Sequence, residues 1–160
     1  MGLAVVWLFI KEDALGAVVI AVFLGLSFTY FLRDDRCPTV FDLLFTLAAL
    51  LVAFGDVFGL FERVVLYDKL THVFMAFAVS LAFFFLLYRD ASPRWPAIAM
   101  ATSVFTLGVS AGALWEIFEW STGNEYTYAD TITDLLMDSA GALGAALLAL
   151  AIHQRGGRIT

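Results

Sequence analysis

Long apolar segments constrain this chain more than any other feature of its sequence. A transmembrane α-helix needs about 20 predominantly apolar residues to span a hydrocarbon core about 30 Å thick. Hydrophobic residues fill 62% of the 160 positions, well above the share of about 45–50% that is usual in soluble proteins. We predict transmembrane helices at about residues 15–32, 41–60, 70–88, 95–120 and 131–153.

These five segments occupy most of the chain, so we expect an all-α polytopic membrane protein whose helices form one bundle. Residues 1–160 then make a single integral membrane domain. The apolar start, residues 1–13, lacks the basic start and the small-residue cleavage site of a signal peptide, and we interpret it as an interfacial segment or an extension of the first helix. Cys37 is the only cysteine, which excludes an internal disulfide and a cysteine metal cage.

The charged residues predict how the chain lies in the membrane. Six Lys and Arg residues fall in the loops after the first and third helices and in the C-terminal tail, against three on the other side. The positive-inside rule then places this multi-pass protein in the cell membrane with its N-terminus outside and its C-terminus in the cytoplasm. The formal net charge of −6 argues against a nucleic-acid partner.

Three predicted helix ends at the outer face carry acids at helical spacings. The blocks are YDKLTHVF, ALWEIFEW and DTITDLLMDSAG. Side chains three or four residues apart share one face of a helix, so each block presents its polar groups to one side. The residues concerned, all candidate metal ligands, are Asp68, His72, Glu116, Glu119, Asp130, Asp134 and Asp138.

Small residues continue two of these polar faces toward the other end of the helices. Gly108 and Gly112 lie on the face of Glu116, and Gly141 and Ala145 lie on the face of Asp138. Small residues let transmembrane helices approach closely. We therefore predict that the fourth and fifth helices pack through these four positions and that their acids face each other.

Acids within a membrane need a partner that offsets their charge. An acid at the bilayer centre costs about 2.5–3.5 kcal/mol even on the mild scale. Lys69 and Arg63 cannot neutralise so many carboxylates, which favours a divalent cation or shared protons. Carboxylates suit Mg, Ca and Mn, whereas imidazole with carboxylate also admits Zn and Fe, so the pattern does not distinguish these metals. It only partly matches the di-metal sites of helical bundles, because its Glu-x-x-Glu pair lacks a histidine.

Several of these residues also have a structural interpretation. Asp68 and Asp130 lie where an acid can cap a helix or complement its dipole. His72 taken alone is more typical of a hydrogen-bonded core histidine than of a ligand. Asp134 and Asp138 lie beyond any cap, and this favours a functional role.

The three blocks together resemble the YjdF-like family of uncharacterised bacterial and archaeal inner-membrane proteins, over roughly residues 55–148. More distantly, they are similar to VanZ-like proteins, which are associated with glycopeptide resistance and cell-envelope phenotypes. The resemblance implies a multi-helix membrane protein and implies no settled activity. It carries over Asp68, Lys69, His72, Glu116, Glu119, Asp130, Asp134 and Asp138. Glu119 departs from the VanZ-like pattern, which prefers glutamine there.

Three functions fit these observations. The first is a metal-dependent enzyme acting on a lipid or lipid-linked envelope substrate at the outer face, with His72 or Glu119 as general acid or base and Lys69 meeting an anionic head group. The second is a structural or accessory subunit with a cation-stabilised polar core, working as a homo-oligomer or in a larger membrane complex. The third is a proton or ion transporter, which is less favoured because no polar route to the cytoplasmic side is visible.

Overall fold

The computed structural model describes residues 39–88, 95–121 and 127–155, and each regular element within these ranges is an α-helix. The elements are α1 (Thr39–Phe58), α2 (Leu60–Arg63), α3 (Val65–Tyr88), α4 (Ala97–Ser121) and α5 (Tyr128–Gln154). The predicted all-α class is confirmed. The first predicted helix, at residues 15–32, lies outside the described residues, as do Cys37 and the N-terminal segment.

Three of the described helices are long and apolar enough to cross a membrane. Their spans are Val65–Leu87, Ala97–Ser121 and Tyr128–Gln154. The apolar part of α1, Leu43–Phe58, is shorter than these spans. The predicted polytopic character therefore holds, with α3, α4 and α5 as the spans that the structure describes.

Two of the spans begin earlier than their apolar patterns predict. Helix α3 starts at Val65 instead of residue 70, so the polar Asp68 lies within its first turn, where the helix dipole favours an acid. Helix α5 starts at Tyr128 instead of residue 131, because Thr127 caps it by accepting a hydrogen bond of 3.2 Å from the backbone N–H of Asp130. Threonine is a favoured N-cap residue, and Asp130 takes the first-turn position.

The chain divides into two compact units, Met1–Thr71 and His72–Thr160. In the first unit, Gly59 joins α1 to α2 with a left-handed φ of 61°. The Phe61 ring lies edge-on to the Tyr67 ring, with their centroids 5.4 Å apart. The Tyr67 hydroxyl donates a hydrogen bond of 2.5 Å to the Leu51 carbonyl oxygen.

Gly59 gives a prediction about the first unit. Replacing Gly59 by alanine should lower the free energy of unfolding by about 1–2 kcal/mol, because a Cβ is disfavoured at positive φ. Steric overlap does not cause this loss of stability, since the nearest atom to an added Cβ is Arg63 Nε at 3.7 Å. Gly59→Asn should cost less, because asparagine tolerates this conformation. Thermal unfolding in detergent measures both, and an equal or larger loss for asparagine would contradict the backbone explanation.

Small buried residues form the contact surface between the helices of the second unit. We call Gly108, Gly141, Ala142 and Ala145 the small-residue seam. A Cβ on Gly141 would overlap the backbone carbonyl oxygen of Val73, so the backbones of α3 and α5 touch there. A Cβ on Gly108 would lie 2.8 Å from the Cβ of Ala142. Close approach through glycine and alanine is the usual packing mode of transmembrane helices.

The opposite face of α5 carries large apolar side chains. Leu136, Leu143 and Leu147 are more than half exposed in the isolated chain. A bilayer covers such side chains in a membrane-spanning helix, whose backbone polar groups are already bonded within the helix. The contrast between the two faces fixes which side of α5 points toward α3 and α4.

Candidate functional site

Four of the predicted site residues lie together in the second unit. His72 comes from α3, Glu116 from α4, and Asp134 and Asp138 from successive turns of α5; we call them the acid–histidine cluster. Their exposed fractions are 9%, 4%, 3% and 3% respectively. Because Asp134 and Asp138 are four residues apart, one face of α5 presents both carboxylates.

Carboxylates approach both nitrogens of the His72 ring. Nδ1 lies 3.2 Å from Asp138 Oδ1, in hydrogen-bond contact, and 3.9 Å from Glu116 Oε1. Nε2 lies 3.8 Å from Asp134 Oδ1. The two longer distances exceed a hydrogen bond but lie within the limit of about 4 Å for an ion pair between a carboxylate and a charged side chain.

Two carboxylate oxygens of the acid–histidine cluster are buried without a hydrogen-bond partner in the part of the chain that the structure describes. They are Glu116 Oε1 and Asp138 Oδ2; Ser80 Oγ, elsewhere on α3, is the other such side-chain atom. A buried acceptor without a partner carries its full desolvation cost. In native proteins such atoms call for an explanation, and a water or an ion is a common one.

The donor atoms lie close enough together to be candidate ligands of one metal ion. Atoms of His72, Glu116 and Asp138 all lie within 4.8 Å of one another. Ligands of a tetrahedral ion bound at about 2.0–2.1 Å are about 3.3 Å apart. The contact of 3.2 Å between His72 and Asp138 matches this spacing, and Glu116 lies farther from the same nitrogen, at 3.9 Å. One imidazole with two carboxylates admits Zn, Fe and Mn.

The sequence did not predict the contacts that Gly112 and Thr131 make beside the cluster. A Cβ on Gly112 would overlap Asp138 Oδ2 and lie 2.7 Å from its Cγ, so Gly112 makes room for a carboxylate as well as for a helix. Thr131, near the Glu116 carboxyl, accepts a hydrogen bond of 2.9 Å at Oγ1 from Trp120 Nε1. Helical spacing contains no signal for either contact.

The remaining predicted residues have other surroundings. In the first unit, Lys69 Nζ forms an ion pair with Asp68 Oδ2 at 3.0 Å. Glu119 and Asp130 are half-buried. Neither joins a group of potential ligand atoms within the described ranges, and the backbone of Asp130 is engaged by the Thr127 cap.

Sequence comparison relates this chain to other proteins. The model of the family described as "Predicted membrane protein (DUF2238)" matches residues 1–155. An uncharacterized protein of Thermotoga maritima is 30% identical over 95 residues, which covers 54% of this chain and 49% of that protein. This chain therefore spans about half the length of that relative. No solved structure matches.

Proposed function

The chain belongs to the family of predicted membrane proteins DUF2238, and we propose that its acid–histidine cluster holds a divalent metal ion used on a lipid or lipid-linked substrate. The YjdF-like proteins are members of this family, so the resemblance of the three sequence blocks is confirmed. The more distant likeness to VanZ-like proteins stays a prediction.

The observation that carries the proposal is that two carboxylates approach the same imidazole nitrogen and each has one buried oxygen without a hydrogen-bond partner. Glu116 Oε1 and Asp138 Oδ2 lack hydrogen-bond partners among the described residues, and both side chains face His72 Nδ1. Even a fully protonated His72 balances only one of the three carboxylates of the cluster if all are ionised. A bound divalent cation offsets more of that charge and gives the unpartnered oxygens a partner.

The number of protein ligands favours a reactive site over a closed one. Structural zinc sites use four protein ligands, whereas catalytic sites use three and keep one position for water or substrate. His72, Glu116 and Asp138 are three. A divalent ion held by these three residues would supply an activated water for hydrolysis. The three ligands lie on helices that can cross a membrane, so we propose a substrate that reaches the site from the lipid phase.

Two further residues have proposed roles in this reaction. Glu119 lies one turn beyond Glu116 on α4 and is half-buried, a position suited to a general base between the site and solvent. Lys69, at the start of α3, is proposed to meet an anionic head group. The placement of this end of the helices at the outer face rests on the distribution of basic residues.

One observation favours a second function, that of an accessory subunit stabilised by its cation. The side chains of His72, Glu116 and Asp138 are only 10%, 6% and 4% exposed, which leaves little opening for a substrate. An ion bound there would join α3, α4 and α5, and it would stabilise the fold by mass action because the unfolded chain lacks the site.

Metal analysis tests the shared premise of both functions. Protein purified in detergent should contain close to one divalent ion per chain by mass spectrometry, and a chelator should remove the ion and lower the thermal midpoint. Ligands must be deprotonated before they bind a metal, so affinity should rise with pH. Absence of metal even after supplementation would remove both the enzyme and the cation-stabilised subunit.

Lipid hydrolysis then separates the two functions. Metal-loaded protein in mixed micelles should release product from a phospholipid or lipid phosphate if the site is catalytic. As the matched control, chelator treatment should abolish product release, and reloading the same protein with metal should restore it. Full metal occupancy with no turnover on these substrates would favour the accessory subunit.

A further inference from the structure

We infer that Asp134 positions His72 and is not itself a metal ligand, so that Nδ1 of His72 is the atom that binds the ion. This inference rests on the proposed metal site and divides the cluster into two parts. His72, Glu116 and Asp138 surround the ion, and Asp134 holds the far edge of the ring. Helical spacing alone treats Asp134 and Asp138 as equivalent.

The geometry around the imidazole separates the two aspartates. Asp138 and Glu116 approach Nδ1, at 3.2 Å and 3.9 Å, and Asp134 approaches Nε2, at 3.8 Å. The two ring nitrogens point in different directions, so one ion cannot bind both. The potential ligand atoms form two groups that share His72, one with Glu116 and Asp138 and another that includes Asp134, so the two aspartates do not belong to the same group.

A carboxylate on the second nitrogen has a known role in metal sites. Histidine ligands almost always donate their other ring N–H to a carboxylate, a carbonyl or a water, which fixes the tautomer and the ring orientation. Asp134 is placed to accept that proton. At 3.8 Å the contact is longer than a hydrogen bond, and a small rotation of either side chain shortens it. Contacts of this kind are often long before a ligand binds.

The tautomer of the His72 ring explains why the position of Asp134 should affect metal binding. In the absence of metal, a proton on Nδ1 can be donated to Asp138 Oδ1 at 3.2 Å. An ion bound at Nδ1 needs the lone pair of that nitrogen, so the ring proton must reside on Nε2 instead. Asp134 favours this tautomer by accepting from Nε2–H, and it acts on metal affinity through His72 without contacting the ion.

Metal titration of two matched variants tests the assignment. Asp134→Asn should keep one Zn²⁺ per chain and the same number of ligands by X-ray absorption, with affinity about 10–100-fold lower, the range for loss of an orienting partner. Asp138→Asn should lose stoichiometric Zn²⁺. A ligand lost from the ion in Asp134→Asn, or two ions per wild-type chain, would overturn the assignment and leave the metal site standing.

A spectroscopic readout distinguishes positioning from general stability. The chain has two histidines, so ¹⁵N-histidine spectra assigned with His153→Gln can follow the His72 ring alone. Zn²⁺ should shift Nδ1 of the wild-type protein and leave a proton on Nε2. Zn²⁺ on Nε2 would overturn the assignment. A wild-type protein that binds no Zn²⁺ or other divalent ion would overturn the proposed function, and this inference with it.

Discussion

Replacing Asp138 by asparagine is expected to lower divalent-ion affinity by more than about 100-fold, beyond the range for loss of an orienting partner. Asp138 offers Oδ1 to His72 Nδ1 at 3.2 Å and holds a second buried oxygen, Oδ2, without a partner. Asparagine keeps the shape of the side chain and removes its charge. Competition with a chelating dye measures the affinity, and mass spectrometry measures the metal that remains bound.

Asp130→Asn is the matched control for this change, because it makes the same substitution two turns earlier on α5. Asp130 lies in the first turn behind the Thr127 cap, so metal binding should persist. Loss of metal in the control would extend the ligand set to the first turn of α5, as the regular spacing of the aspartates also allows. Thermal unfolding without metal checks that both variants fold.

Replacing Gly141 by alanine is expected to cause the largest loss of stability of any single methyl group added to α5. The new Cβ would overlap the backbone carbonyl oxygen of Val73 and lie 3.0 Å from the Phe77 nitrogen. Backbone atoms cannot rotate away, so α3 and α5 must separate. Overpacking of this kind typically costs about 1–3 kcal/mol and occasionally more. Unfolding in mixed micelles of increasing SDS content measures the change.

Gly144→Ala should have the opposite sign on the same helix. A Cβ there meets only the Phe77 ring, at 3.5 Å and 3.9 Å, which is ordinary contact. Alanine is a better helix former than glycine by about 1 kcal/mol, so stability should hold or rise. Equal losses for the two variants would show that the close approach at Gly141 does not govern packing in the second unit.

The helices of this fold are largely predictable because their apolar lengths match a bilayer. The starts of α3 and α5 are less predictable, since the first turn of each contains an acid, Asp68 or Asp130, that interrupts the apolar pattern. Thr127 begins α5 through one side-chain hydrogen bond. The sequence marks this cap only by residue type, because threonine is a favoured N-cap residue. Asp130, three residues later, is of an equally suitable type.

The acid–histidine cluster was predictable as a set of residues and not as a geometry. Spacing places Asp134 and Asp138 on one face of α5, and the structure brings that face to His72 and Glu116. Spacing along one helix cannot say which ring nitrogen each carboxylate meets, because that depends on how α3 and α5 are rotated against each other. The contact of Asp138 with Gly112 depends on the same rotation.

The pairing of α4 with α5 also has a consequence for biogenesis. A lone α5 would carry Asp134 and Asp138 into hydrocarbon, and each costs about 2.5–3.5 kcal/mol near a helix centre on the translocon scale. Helix α4 precedes α5 in synthesis, and its Gly112 lies directly against the Asp138 side chain. Insertion of the two helices as a hairpin shields that carboxylate from lipid at once. The absence of a side chain at Gly112 thus lowers the cost of delivering a charged helix to the membrane.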